Sequence, residues 1–395
     1  MIVVIILISI TTFILLLIAD FKMGQISHNK TGNPINIVKT HGQYELFSEG
    51  LTLFESFFQD ITDAKVRVDI SFFIIDQDEL GRNFLDLLKK KAQEGVAVRL
   101  LGDRLGCYQI NKQIRNELKE AGVHFAFAEK PGFPLFFYHL NRRNHRKITV
   151  IDGKVAYIGG FNVGSNYTGH NPKFGDWRDY HLRYTGEVVE KLHAVFIKDW
   201  EESTGEKLTV INTNHSEGKK VCVVATDGIG VTEEFKRMIH SASKEIIIGT
   251  PYFIPTPELL QSLKNALKNG IELHILVPMK SDHPFVKEAG IVFLNELYQR
   301  GAQIKFFDAG FYHSKVFIVD GEFADIGTAN FDRRSFFLNK EVNTYVYDKT
   351  FIAAVREDYF QDMKDAILFD ESWLKNRSLS TKINEKIAAT LRPLL

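Results

Sequence analysis

The chain has 395 residues, with 49 Lys plus Arg balanced by 49 Asp plus Glu, so no overall field draws it to nucleic acid. Its 45% apolar and 25% charged residues exclude a disordered chain and a multi-span channel, and its length exceeds one ordinary domain. Two cysteines, Cys107 and Cys222, rule out a disulfide scaffold and a clustered thiolate metal site, while the 32 phenylalanines are expected chiefly in cores.

The first predicted element is an apolar run from Ile2 to Ala19, relieved only by Ser9, Thr11 and Thr12. As a helix it spans ~27 Å, close to the hydrocarbon thickness of a bilayer. No Lys or Arg precedes the run, and Ile18-Ala19-Asp20 is a poor cleavage site, which favours a retained transmembrane helix over 1–20 above a cleaved signal peptide. Lys22, Lys30 and Lys39 all follow it, so the body is expected in the cytoplasm. Residues 21–40 are polar and rich in helix breakers, and read as a tether.

The body is then written twice. The stretch 63–73 and the stretch 242–253 are both β-branched runs ending in aromatics, and both predict buried strands. Helical periodicity follows each, at Leu80, Phe84, Leu87 and Leu88 and at Leu259, Leu263, Ala266 and Leu267. Gly95 and Gly270 close these helices, and second apolar strands follow at 96–101 and 271–277. Strand, helix, strand in that order predicts a parallel pair joined by a crossover helix. Residues 203–220 lack periodicity and predict a linker. The expected architecture is α/β, with two pseudo-symmetric domains over 41–202 and 221–395 packed face to face and a site in the cleft between them.

The chemistry is duplicated too. His145, Lys147 and Asp152 form a His-x-Lys-x4-Asp pattern, followed by Gly159 and Asn162. His313, Lys315, Asp320, Gly327 and Asn330 repeat it, every member offset by 168 residues. On a strand, His and Lys two positions apart share a face, and Asp-Gly at the strand end signals a hairpin. The return strand then brings an asparagine amide and a glycine beside them. Two His, two Lys and two Asn in one cleft suit a phosphoryl centre. A charged Lys offers no lone pair and repels a cation, so neither metal nor other cofactor is expected.

This duplicated motif resembles that of the phospholipase D superfamily, and within it the bacterial cardiolipin synthases. Further shared features are Trp177-Arg178-Asp179, Thr250-Pro251-Tyr252-Phe253-Ile254-Pro255, Gly327-Thr328-Ala329-Asn330-Phe331-Asp332, Asn339-Lys340-Glu341 and the terminal Pro393-Leu394-Leu395. One anchor stands here where many relatives carry two, which resembles a shorter or minor form.

The resemblance implies a phosphatidyltransferase that joins two phosphatidylglycerol molecules into cardiolipin and glycerol through a phosphohistidine. It assigns His145 as nucleophile, His313 as acid then base, and Lys147, Lys315, Asn162 and Asn330 to the phosphoryl oxygens. Each imidazole needs an acceptor for its second nitrogen, and Asp179 and Glu341 are the candidates. Asp152 and Asp320 complete the two motifs but lie beyond the hairpin turns, where they are expected to hold structure. Rival readings are a membrane-anchored phospholipase D with water as acceptor, a nuclease of the same superfamily, and a catalytically silent scaffold.

Two flanking features complete the reading. Arg142, Arg143, Arg146 and Lys147 form a basic knot suited either to anionic headgroups or, at Arg142 and Arg143, to an ordinary solvated loop. The stretch 131–138 is apolar enough to touch lipid at the mouth of the cleft.

Overall fold

The computed structural model describes residues 2–169, 171–211 and 218–392, so Pro393, Leu394, Leu395 and part of the expected linker, 212–217, lie outside the described residues. Helix α1 (Ile2–Thr31) is long and apolar enough to cross a membrane, and most of its apolar side chains from Val4 to Ile18 are exposed. It runs eleven residues past Asp20, so residues 21–31 are helical where a tether was expected. Gly24 does not break the helix because the residue serves close packing: a Cβ there would lie 2.1 Å from Cγ of Tyr138. The helix stops before the Gly32-Asn33-Pro34 breakers.

Strand β1 (Asn36–Glu49) follows and is shared between the two halves. Its first part, Asn36 to Gly42, pairs with β8 (Lys219–Thr226), and its second part, from Gln43, pairs with β7 (Asp176–Thr185).

In the first half, β2 (Arg67–Phe72), β3 (Ala97–Asp103) and β4 (His124–Ala128) are parallel. Helix α2 (Gly50–Asp63) precedes them, α3 (Glu79–Gln93) is the crossover, and α4 (Lys112–Glu120) follows β3. Asp78 caps α3 by accepting from the Gly81 N–H. Past the short α5 (Phe136–Asn141), the hairpin β5 (Ile148–Ile151) and β6 (Val155–Gly159) leads antiparallel from β2 to β7.

The second half repeats this order. Strands β9 (Glu245–Gly249), β10 (Glu272–Pro278) and β11 (Gln303–Phe307) are parallel, and β13 (Val316–Val319), β14 (Phe323–Gly327) and β15 (Glu341–Val346) return antiparallel to β8. The three-residue β12 (Gly310–Tyr312) crosses over and pairs with β7 of the first half. Both hairpins turn on Asp-Gly with positive φ at each residue, 52° and 66° at Asp152-Gly153 and 53° and 66° at Asp320-Gly321, as the twist-compatible two-residue turn requires.

The inner faces of the two sheets pack on one another. Val150, Ile158 and Leu182 from one half share a core with Ile318, Ile326 and Val342 from the other. Helix α6 (Val188–Thr204) and a long helix at Lys349–Lys364 complete that layer through Phe196 and Tyr359. Phenylalanines fill the outer cores, with Phe54, Phe57 and Phe84 under one sheet and Phe235, Phe253 and Phe331 under the other. With its inner face thus anchored, each hairpin can hold its motif at the seam between halves.

Candidate active site

His145 and His313 lie just before β5 and β13, at the ends of the hairpins opposite their Asp-Gly turns. Each is hung on the other half. The His145 N–H donates to the Lys340 carbonyl at 3.0 Å, and the His313 N–H donates to the Arg178 carbonyl at 2.7 Å. The next residue in each case is an acid, so each imidazole meets a carboxylate from the opposite half. His145 Nδ1 lies 2.9 Å from Glu341 Oε2, and His313 Nδ1 lies 2.6 Å from Asp179 Oδ2. Donation of Nδ1–H to the acid leaves the Nε2 lone pair of each ring for chemistry.

The two acids are held differently. Glu341 also accepts from Thr328 Oγ1 at 2.6 Å, Ser335 Oγ at 2.9 Å and Asn339 Nδ2 at 3.4 Å. Asp179 accepts from its neighbour's N–H at Tyr180 and from Lys315 Nζ at 3.3 Å. A Cβ on Gly160 would sit 2.1 Å from Asp179 Oδ1, so glycine there clears room for the carboxylate. Aromatic faces wall the rings: Phe73 lies 4.9 Å from His145 edge-on, and Trp177 lies 5.0 Å from His313.

Both lysines are buried with the histidines. Lys147 Nζ donates to the His145 carbonyl at 2.9 Å, whereas Lys315 Nζ contacts Asp179, His313 Nδ1 at 2.7 Å and the His313 carbonyl. Burial pushes the Lys147 ammonium down to about 7, and it lowers Lys315 as well, against the pull of Asp179. Burial also lowers His145, and burial with the Lys315 charge brings His313 to about 4. For Asp179 and Glu341 burial works upward, but the facing Lys315 and His313, and His145, hold both carboxyls below the usual range. The site is therefore a dry centre in which two lysines and two carboxylates surround neutral imidazoles, with donors placed to take the oxygens of a bound phosphodiester.

Asn162 and Asn330 are buried, and both amides have internal partners. Asn162 accepts from the Ile74 N–H and donates to Tyr167 Oη, while Asn330 donates to Asp332. Asp152 and Asp320 stand at the far ends of the hairpins, away from the histidines. Asp152 accepts from the N–H groups of Lys65, Val66 and Arg67, and Asp320 from those of Ser243, Lys244 and Glu245.

The basic knot is neither a headgroup patch nor a solvated loop, because its arginines are taken up internally. Arg143 is buried against Asp103 and the carbonyls of Glu129 and His139, and Arg142 pairs with Glu129 at 3.1 Å. Arg146 is fully buried, donating to Asp199 at 2.6 Å, to Asp227 at 2.9 Å and to the Glu341 carbonyl at 3.0 Å. Sequence reasoning missed Asp199, Thr328, Ser335 and Asn339 as supports. Thr328 and Asn339 sit inside stretches already conspicuous, but nothing local singles out Asp199, which lies on α6 and reaches Arg146 and Lys340 only through the fold.

Residues 57–200 and 235–364 match the family model described as cardiolipin synthase, phospholipase D-like domain. The minor cardiolipin synthase ClsB of Bacillus subtilis (strain 168) is 40% identical over 98% of this chain and 98% of its own length. The major cardiolipin synthase ClsA of the same organism is 37% identical over 89% of this chain and 75% of its own. The crystal structure of phosphatidylserine synthase from Haemophilus influenzae Rd KW20 superposes with a TM-score of 0.72, covering 95% of this chain and all of that one; at 16% identity it speaks to the fold alone.

Proposed function

The chain belongs to the cardiolipin synthase family, is a phosphatidyltransferase of the phospholipase D type, and from that premise we propose how its paired site works. One phosphatidylglycerol enters with its phosphodiester between the two histidines. Nε2 of His145 attacks phosphorus, the bond from phosphorus to the glycerol oxygen breaks, and His313, protonated at Nε2 in the complex with the anionic diester, gives that proton to the oxygen, releasing glycerol. The free glycerol hydroxyl of a second phosphatidylglycerol then loses its proton to His313 and attacks the phosphohistidine, freeing His145 and giving cardiolipin. Substrate charge supports this cycle: an anionic diester raises the depressed basicity of His313 and recharges Lys147.

Lys147, Lys315 and the remaining N–H groups of Asn162 and Asn330 take the non-bridging oxygens, while Glu341 and Asp179 keep each ring in one tautomer. Helix α1 fixes the enzyme in the membrane that supplies its lipid, with the body on the cytoplasmic side because Lys22, Lys30 and Lys39 all follow the apolar run.

The observation that carries this reading is the reciprocal bonding of the motifs, His145 to Glu341 and His313 to Asp179, which binds both copies into one centre. Purified full-length protein given labelled phosphatidylglycerol should yield cardiolipin and glycerol, and quenching during turnover should trap label on His145. Phosphatidic acid as sole product would make water the acceptor, and label on His313 would exchange the two roles. His145→Asn or His313→Asn should each cost ~10⁴-fold or more in turnover; unchanged cardiolipin formation would leave only the scaffold reading.

A further inference from the structure

Where α1 leaves its apolar run, it is fastened to the segment that leads into the first motif. Asp20 Oδ1 accepts the Tyr138 N–H at 2.8 Å, and the Phe21 ring lies 6.2 Å from Phe137 and 6.0 Å from Tyr138. Two turns further along, His28 lies 6.2 Å from the same Tyr138 ring and bonds the Asp227 carbonyl at 2.7 Å, within electrostatic reach of Arg142. Residues 20 to 28 therefore pack along the segment that holds Phe137 and Tyr138. The side of Tyr138 that faces His28 continues to Arg143, Asn144 and His145. In the other direction the chain leads to residues 133–136, of which Leu135 packs against the Phe21–Tyr138 cluster at the end of the apolar run.

That end is unusually apolar for a surface. Phe133 is 87% exposed and Phe136 is 39% exposed, with their rings stacked at 5.1 Å and 18° and Pro134 exposed between them. Two such rings presented to water are costly, and a pair set level with the exit of an apolar helix has an apolar phase within reach. Lys22, next to Phe21, and Lys130, three residues before Phe133, are both exposed, as charges that meet anionic headgroups must be.

We infer that Phe133 and Phe136 form a second membrane contact, an interfacial foot inserted beside α1 into the same bilayer, which fixes the mouth of the His145 site at the level of the phospholipid headgroups. This rests on the phosphatidyltransferase reading and adds to it the way lipid is presented: a phosphodiester reaches the histidines without leaving the interface, its acyl chains staying in the bilayer beside the foot. A single spanning helix leaves the body free to tilt; a second contact beyond it removes that freedom.

The test uses the full chain in phosphatidylglycerol vesicles. The native thiols, Cys107 and Cys222, are buried, so Phe133→Cys can be labelled alone with a polarity-sensitive fluorophore, with Phe136→Cys as a second probe. Both labels should emit in the blue and be quenched by lipids carrying shallow spin labels, while a label at Val66→Cys, which is exposed at the far end of the sheet, should not. Labels at 133 and 136 that behave like the one at 66 would overturn the inference. Replacing both rings by Ser should lower the ratio of activity on vesicles to activity on short-chain monomeric phosphatidylglycerol by about tenfold; an unchanged ratio would also overturn it. Absence of cardiolipin from the unsubstituted enzyme would instead sink the activity reading and leave the quenching result standing.

Discussion

Between His and Lys the first motif carries Arg146, and the second carries Ser314. Arg146 reaches Asp199, Asp227 and the backbone at Thr226 and Glu341, knitting α6 and the second half around Glu341. Among the described residues the Ser314 side chain reaches the Arg178 carbonyl alone, at 3.4 Å, and beside Arg178 a cavity of about 550 Å³ opens, lined by Glu49, Asp176, Asp308 and Asp362 among others. The acids differ in the same sense. Glu341 has three side-chain donors besides its histidine, and Asp179 has the motif lysine, Lys315. One imidazole is thus set in a structural scaffold, and the other shares its acid with the buried Lys315 ammonium. Duplication supplied the same groups twice, and divergence of their supports gave them unlike surroundings, as two unlike chemical roles require.

The strongest way to break that comparison is to neutralise each acid. Asp179→Asn disturbs His313 and Lys315 together and should lower kcat by ~10³-fold or more while raising KM for lipid; Glu341→Gln should also lower kcat but raise KM less, since among the described residues Lys147 makes no hydrogen bond to it and feels its charge only through space. Equal KM changes in the two variants would mean that the halves work alike.

A smaller effect concerns the lysines. Because burial brings Lys147 to about 7, its charged fraction in the free enzyme falls as pH rises through neutrality, so KM should climb roughly tenfold per unit well above that value. Lys147→Arg keeps the charge and should flatten the climb, even if it lowers kcat. A KM independent of pH in the unsubstituted enzyme would show that substrate binding does not sense this group.

The smallest effect on chemistry is expected at the turns. Asp152→Ala and Asp320→Ala each remove an acceptor for three N–H groups and should lower unfolding free energy by about 1–3 kcal/mol, with kcat little changed. Loss of turnover in a still-folded variant would return these aspartates to the catalytic set.

Legible in the sequence alone were the apolar first helix, the duplicated parallel units, the two Asp-Gly hairpins and the residues of the two repeated motifs, because each of these is a matter of local period or short spacing. His-x-Lys on a strand, for instance, places both groups on one face whatever surrounds it. The fold alone decided that His145 takes Glu341, 196 residues away, and that His313 takes Asp179, 134 residues away. It also decided that Arg143 and Arg146 are buried ion-pair partners and that Gly24 is a packing contact within a continuous helix. Such pairings depend on how two sheets seat against each other, and no periodicity within a segment of chain encodes the register between segments that meet only after both have folded.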